Sequence, residues 1–204
     1  LPVSYFFVWL ADKFISSWQR LLWYAVIIAV VLYLPLFWTK DILKPNTLLL
    51  ARQWILKNVP ADAVILSSNP YLDLPENKAA ALYLRLLSPK KDTVERRFIS
   101  TADPINLPSP RYFVITAQGL GGLADNFPDI LPDVRYAVVS FWNNEEREIV
   151  RQNSSQLKMK LLQTYYPWPA PADLTDIANN MINPYTTLGK IQATGPFVEI
   201  YKVN

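Results

Sequence analysis

The chain has 204 residues, of which 51% are hydrophobic and 18% charged, enough for one domain of ordinary size plus a membrane segment. Its formal net charge of +3 is too small to indicate a nucleic-acid-binding protein. No cysteine or histidine is present, which excludes disulfides, thiolate metal sites and every catalytic dyad that needs histidine.

The amino-terminal residues 1–11 are apolar but too short to cross a bilayer. The chain starts with Leu1-Pro2 rather than with methionine, so we expect that residue 1 is not the natural start. We interpret 1–11 as the end of an earlier span. Residues 12–20, DKFISSWQR, are then expected to form a short loop between two antiparallel helices.

Residues 21–38, LLWYAVIIAVVLYLPLFW, carry no charge and predict a transmembrane helix. At about 1.5 Å per residue this segment extends roughly 27 Å, close to a hydrocarbon core of about 30 Å. Aromatic residues lie toward both ends, where membrane interfaces favour them. The alternatives are a signal peptide, whose apolar core would be shorter, and a buried globular helix, which is rarely apolar on all faces.

Basic residues flank this span on both sides, so charge alone leaves its orientation open. A bare count of charges places the carboxyl-terminal side inside the cell, but long domains cross membranes largely regardless of charge. The residues concerned are Lys13 and Arg20 on one side and Lys40, Lys44, Arg52 and Lys57 on the other.

The remaining residues, 39–204, are expected to form a small soluble α/β domain. Asn46 suits a helix N-cap, and Pro60 ends the helix that follows, because the residue before proline avoids the helical region. Apolar strands alternating with helices predict a mainly parallel sheet, with the last strand as a possible antiparallel edge. The predicted helices are 47–57, 76–87 and a polar 143–152, and the predicted strands are 63–68, 112–117, 136–140, 160–166 and 197–203.

Two adjoining loop segments raise the possibility of ligand binding. AQGLGGLADN (117–126) places three glycines directly after a strand, which can bind phosphate through backbone N–H groups or form a plain tight turn. DNFPDILPD (125–133) spaces three aspartates four residues apart, which on a helix could hold a hard cation. Its prolines favour an acidic loop instead. The residues are Gly119, Gly121, Gly122, Asp125, Asp129 and Asp133.

The segment PKKDTVERR (89–97) contains four basic residues with two acidic residues between them. One hypothesis is contact with anionic lipid or a lipid-linked phosphate near the membrane. The alternative is a solvated charged loop. The candidate contact residues are Lys90, Lys91, Arg96 and Arg97.

Aromatic residues cluster among prolines in TYYPWPAP (164–171). Exposed aromatic rings can stack on sugars or line a partner's groove, and the alternative is that they cover the edge of the core. The candidates are Tyr165, Tyr166 and Trp168. No pair of carboxylates has an acid–base context, so no catalytic, cofactor-binding or metal-binding residue is assigned.

The order of these features resembles the carboxyl-terminal end of bacterial membrane glycosyltransferases of the GT-C class, relatives of the protein mannosyltransferases and aminoarabinose transferases. A Trp-Ile-x-x-Asn-x-Pro segment commonly follows the last span in that class, and a Gly-Pro-x-x-x-Ile-Tyr strand commonly closes it. Leu1-Pro2 fits the start of the penultimate span. The matching positions here are Trp54, Ile55, Asn58 and Pro60, and Gly195, Pro196, Ile200 and Tyr201.

The resemblance implies a parent enzyme that takes a sugar from a polyprenyl-phosphate donor and passes it to a glycan or protein acceptor. The catalytic carboxylate of that class lies in the first extracytoplasmic loop, for which this chain has no counterpart. Membrane lipid and an upstream transmembrane bundle would be its partners. Lys13 and Arg20 would be cytoplasmic, and 39–204 would be extracytoplasmic, in the periplasm or at the cell surface. The alternative is a non-enzymatic, membrane-anchored binding or assembly subunit of an envelope complex.

Overall fold

The computed structural model describes residues 5, 9, 17–87, 92–116, 131–143, 145–148, 158–167 and 191–203. The chain divides into two compact units, Leu1–Leu43 and Lys44–Asn204. In the first unit, helix α1 (Ser17–Ile42) exposes apolar side chains all around its axis. By length and composition, α1 is the one helix in the described part of the chain that could cross a membrane.

Helix α1 is longer at both ends than the predicted span 21–38. Residues 17–20, expected in a loop, are helical, and the helix continues to Ile42 because nothing in residues 39–42 breaks it. Pro45 is the first breaker after the span. The predicted earlier span, 1–11, lies outside the described residues except for Tyr5 and Trp9, which are helical.

Helix α2 (Thr47–Asn58) opens the second unit and has the predicted ends. The Asn46 side chain accepts a hydrogen bond from the Leu48 amide at 2.8 Å, which confirms it as the N-cap. Val59 is the C-cap, directly before Pro60. The buried side chains of α2 are one turn apart and therefore share one face of the helix: Thr47, Ala51 and Ile55.

A five-stranded sheet forms the centre of the second unit, with strand order β2-β1-β3-β5-β4. β1 pairs in parallel with β2 and β3, whereas β5 pairs antiparallel with β3 and β4. The sheet is therefore mixed, and the prediction of a mainly parallel sheet is wrong. The strands are β1 (Val64–Ser67), β2 (Phe113–Thr116), β3 (Tyr136–Phe141), β4 (Met159–Tyr165) and β5 (Phe197–Val203).

The prediction that the last strand lies at an edge is also wrong. β5 is antiparallel but interior, since β4 covers its outer side and forms the edge. A strand sequence such as FVEIYKV indicates that both faces are covered, but it does not indicate the direction of the strand or its place in the sheet. These depend on how the chain connects the strands. β4 shows its edge position by exposing Lys160, Leu161 and Leu162.

Two helices between β1 and β2 complete the described regular structure: α3 (Lys78–Leu87) and α4 (Val94–Thr101). α4 overlaps the segment expected to be a charged loop. Its N-cap is Thr93, whose hydroxyl accepts from the Arg96 amide at 3.2 Å. Of the predicted polar helix 143–152, residues 145–148 are helical, and 149–152 lie outside the described residues.

The core has two layers, one on each face of the sheet. On the α2 face, Ala51 and Ile55 pack against side chains such as Ile65 and Val138. On the opposite face, Leu66 and Val139 belong to a second cluster, and Tyr83 of α3 lies 5.7 Å from Phe113 between ring centroids. The side chains of β5 alternate between the two layers. Val198 and Ile200 face α2, whereas Phe197, Tyr201 and Val203 face the second layer.

The start of α2 is fixed to the residues that precede β5. The Thr47 amide donates to the Thr194 carbonyl at 2.7 Å, and the Thr194 amide donates to Pro45 at 3.0 Å. The buried Thr47 hydroxyl donates to the Pro196 carbonyl at 2.7 Å. Gly195 lies between Thr194 and Pro196. Its φ of +107° is a backbone conformation that residues with a side chain rarely adopt. We call this set of contacts the α2–β5 closure.

Replacing Gly195 by alanine is expected to destabilise the full chain by about 1–3 kcal/mol. A Cβ atom there would lie 2.7 Å from the Thr47 hydroxyl oxygen, in addition to the backbone strain. Chemical unfolding in detergent, followed by tryptophan fluorescence, measures the change, with the exposed Lys202→Ala as control.

A double-mutant cycle with Thr47→Ala separates the two causes. Thr47→Ala removes the oxygen that meets the new methyl group, so Gly195→Ala should cost less in that background. Strict additivity of the two substitutions would show that the contact with Thr47 contributes nothing.

Candidate functional site

The four basic residues predicted to contact lipid or phosphate divide into two groups. Lys90 and Lys91 lie outside the described residues. The Arg96 guanidinium donates to both carboxylate oxygens of Glu76, at 2.8 and 2.7 Å, and Arg97 donates to Asp92 at 2.8 Å. The hydrogen bonds that Arg96 donates to Glu76 raise the pKa of Arg96, although burial acts to lower it. Both described arginines therefore bind carboxylates of the domain itself.

The two aromatic candidates that the structure describes, Tyr165 and Tyr166, do not form one surface. Tyr165, the last residue of β4, packs on the α2 face, and burial raises the pKa of its phenol. Tyr166 packs on the opposite face. Trp168 lies outside the described residues. Consecutive residues in extended backbone point to opposite sides, so two adjacent tyrosines here cover two different layers of the core.

The glycine and aspartate segments are almost wholly outside the described residues. Gly119, Gly121, Gly122, Asp125 and Asp129 all fall in 117–130. Asp133 ends a short 3₁₀ turn, Leu131–Asp133. The phosphate and cation hypotheses for these segments stay predictions.

A buried carboxylate on β5 gathers three polar side chains. Glu199 is 1% exposed, and its Oε1 accepts from the Arg147 guanidinium at 2.6 Å and from the Tyr166 hydroxyl at 3.0 Å. Its Oε2 accepts from the Tyr201 hydroxyl. Burial alone would lower the pKa of Arg147, but the carboxylate outweighs it, and the pKa is raised. Both oxygens of this buried charge are thus satisfied.

Aromatic rings enclose this cluster on the face of the sheet away from α2. Phe141 and Phe197 stack in parallel with centroids 5.5 Å apart, and the Tyr166 ring lies 5.0 Å from Phe197. The guanidinium carbon of Arg147 lies 5.5 Å from the centroid of the Phe141 ring. Glu199 was not among the predicted site residues. A lone carboxylate between apolar strand neighbours was the available signal.

A second polar cluster lies at the carboxyl ends of the parallel strands. Ser67 ends β1, Ser68 and Asn69 follow it, and Ser140 lies near the end of the adjacent β3. The Asn69 side-chain amide donates to the Ser140 hydroxyl at 3.0 Å. The Ser140 backbone amide donates to the Ser68 hydroxyl at 2.8 Å. These contacts join the ends of the two strands.

This position is a recognised place for ligands in α/β sheets. β2 and β3 lie on opposite sides of β1, so the carboxyl end of β1 is a topological switch point. The side chains there are neutral donors and acceptors, suited to binding hydroxyl or amide groups rather than to acid–base chemistry. In the part of the chain that the structure describes, no three carboxylates are grouped to hold a metal ion.

Comparison of the chain with protein-family models, with curated proteins and with solved structures finds no match.

Breaking the Glu199–Arg147 pair should be more harmful than replacing both partners. Arg147→Met leaves a buried carboxylate without its counter-charge and is expected to destabilise the chain by about 3 kcal/mol or more. In the double variant Glu199→Gln/Arg147→Met, the charge is gone and much of that stability should return. Urea unfolding in detergent of the unmodified chain, the single variants Arg147→Met and Glu199→Gln, and the double variant measures the coupling between the two positions.

The exposed Lys160→Met, which also removes a cation but has no buried carboxylate beside it, serves as the control. Equal destabilisation by Arg147→Met alone and by the double variant would contradict the proposed pairing.

Proposed function

We propose that this chain is the membrane anchor and extracytoplasmic domain from the carboxyl-terminal end of an integral-membrane glycosyltransferase that uses a polyprenyl-phosphate sugar donor. In this proposal the segment carries no catalytic residue. The catalytic carboxylate lies in an upstream loop of the parent enzyme. The domain helps to control the access of the donor or the acceptor.

The observation that carries the proposal is the α2–β5 closure. The resemblance depends on two short motifs separated by more than a hundred residues, one at the start of the domain and one at its end. Gly195 and Pro196 of the closing motif contact Thr47, in the helix that contains the opening motif. Two motifs of one family are expected to occur together when their residues form the same contact, here the α2–β5 closure.

The other matching residues have structural tasks in the same joint. Trp54 packs against the α2-face core, and the Asn58 side chain donates to the Trp54 carbonyl at 2.8 Å, in the last turn of α2. Ile200 is buried under α2. These positions favour a domain built to sit directly after a membrane span, since residues 43–46 alone separate α1 from α2.

The proposed topology predicts opposite accessibility for two engineered cysteines. The chain has no cysteine of its own, so single substitutions report without background. Lys202→Cys should react with a membrane-impermeant maleimide in spheroplasts, and Lys13→Cys should react only after the membrane is permeabilised. The reverse pattern of labelling would place the domain in the cytoplasm and contradict the proposal.

The upstream coding sequence tests the enzyme assignment. An in-frame extension encoding many further spans and an early acidic loop is expected. A start codon adjacent to Leu1 would instead favour the non-enzymatic envelope subunit, which should then co-purify with envelope partners.

A further inference from the structure

Helices α3 and α4 leave large apolar side chains exposed, while Arg85, Arg96 and Arg97 on them pair with carboxylates of the domain. Arg96 pairs with Glu76, and both side chains are half-buried or less exposed. Asp92, with a side chain 11% exposed, pairs with Arg85 and with Arg97, of which Arg97 is 63% exposed. The Arg85 guanidinium also donates to the buried Ser100 hydroxyl at 2.5 Å, across the two helices. On α4, Arg96 is therefore partly withdrawn from solvent, whereas Glu95 and Arg97 stay exposed.

Four large apolar residues occupy the outer side of the same pair of helices. They lie one turn apart on each helix and therefore share a face: Leu82 and Leu86 on α3, and Val94 and Phe98 on α4. Their exposed fractions are 44%, 82%, 82% and 63%. We call this set the α3–α4 apolar face. The opposite sides carry the buried residues Ala80 and Ala81 on α3, and Ile99 and Ser100 on α4.

This arrangement is the reverse of what water selects. Exposed apolar area costs roughly 25 cal/mol per Å², whereas paired charges gain little by leaving water. A helix pair that exposes large apolar side chains beside the charged Glu95 and Arg97 is suited to a membrane interface, where apolar side chains enter the headgroup boundary and charges stay in water. Single exposed apolar residues need no explanation, but four on one face of two adjacent helices form a patch typical of an interaction surface.

The chain itself supplies the nearest apolar surface. α1 has the length and composition of a membrane span, and residues 43–46 connect it to the domain. Any bilayer crossed by α1 is therefore within reach of the domain at high effective concentration. We propose that the α3–α4 apolar face inserts into the membrane interface, so that the domain is held to the bilayer at a second point besides α1. This inference rests on the proposed function for the anchor, but not on the identity of the enzyme.

Single cysteines carrying a bimane fluorophore test the proposal in the full chain. They are placed at Leu86 and Phe98 on the face, at exposed Lys202 as control, and at Ile28 within α1. The chain is reconstituted into phosphatidylcholine vesicles containing nitroxide-labelled lipids, with the nitroxide at a shallow or a deep acyl position. Interfacial side chains lie about 5–10 Å below the headgroups, so shallow nitroxides should quench Leu86→Cys and Phe98→Cys several-fold more than Lys202→Cys.

The outcomes separate the anchor from the second contact. Deep quenching at Ile28→Cys with no more quenching at Leu86→Cys and Phe98→Cys than at Lys202→Cys leaves the anchor in place and overturns the inference. Absence of quenching at Ile28→Cys removes the anchor and the inference with it.

A separate measurement excludes a second copy as the occupant of the face. Pyrene-labelled Leu86→Cys should show no excimer emission that persists on dilution with lipid. Persistent excimer emission would mean that the face pairs copies of this chain, and would overturn the membrane assignment.

Discussion

The arrangement of the second unit depends on the α2–β5 closure. The residues that lead into β5 lie against the start of α2, and three hydrogen bonds hold them there. Thr47 supplies two of these, one from its amide and one from its buried hydroxyl. Because α2 covers one face of the sheet, fixing its first turn also fixes which residues of β5 face it. Gly195 is required since any side chain would occupy the space of Thr47.

β5 also carries Glu199, the one buried acidic residue among the described strands. This carboxylate determines which polar side chains lie in the second layer. An isolated carboxylate in that position would be costly, so Glu199 is tolerable only with Arg147 and two tyrosine hydroxyls around it. The guanidinium in turn lies over the Phe141 ring, and Phe141 stacks on Phe197. A single charged residue therefore ties β3, β5 and the helical residues 145–148 into one arrangement.

Sequence could predict the five strands and helices α2 and α3 because their signals are local. Asn46 and Pro60 set the ends of α2, and the apolar runs locate the five strands to within about two residues. Strand direction and the interior position of β5 could not be predicted, since both depend on chain crossings that leave no mark in a covered strand. Arg96 and Arg97 suggested a basic patch because their partners, Glu76 and Asp92, meet them only in the folded domain.

The missed helix α4 shows how the same residues can imply opposite surfaces. As a linear string, VERRFIST has three charges and suggests a solvated loop. As a helix, it separates Arg96, directed to Glu76, from Val94 and Phe98 on the outside. The sequence hypothesis assigned membrane contact to the basic residues of this segment, yet two of them are bound to carboxylates of the domain. The membrane contact that we propose for this stretch uses apolar side chains instead, because Val94 and Phe98 are 82% and 63% exposed, whereas Arg96 and Arg97 are engaged by Glu76 and Asp92.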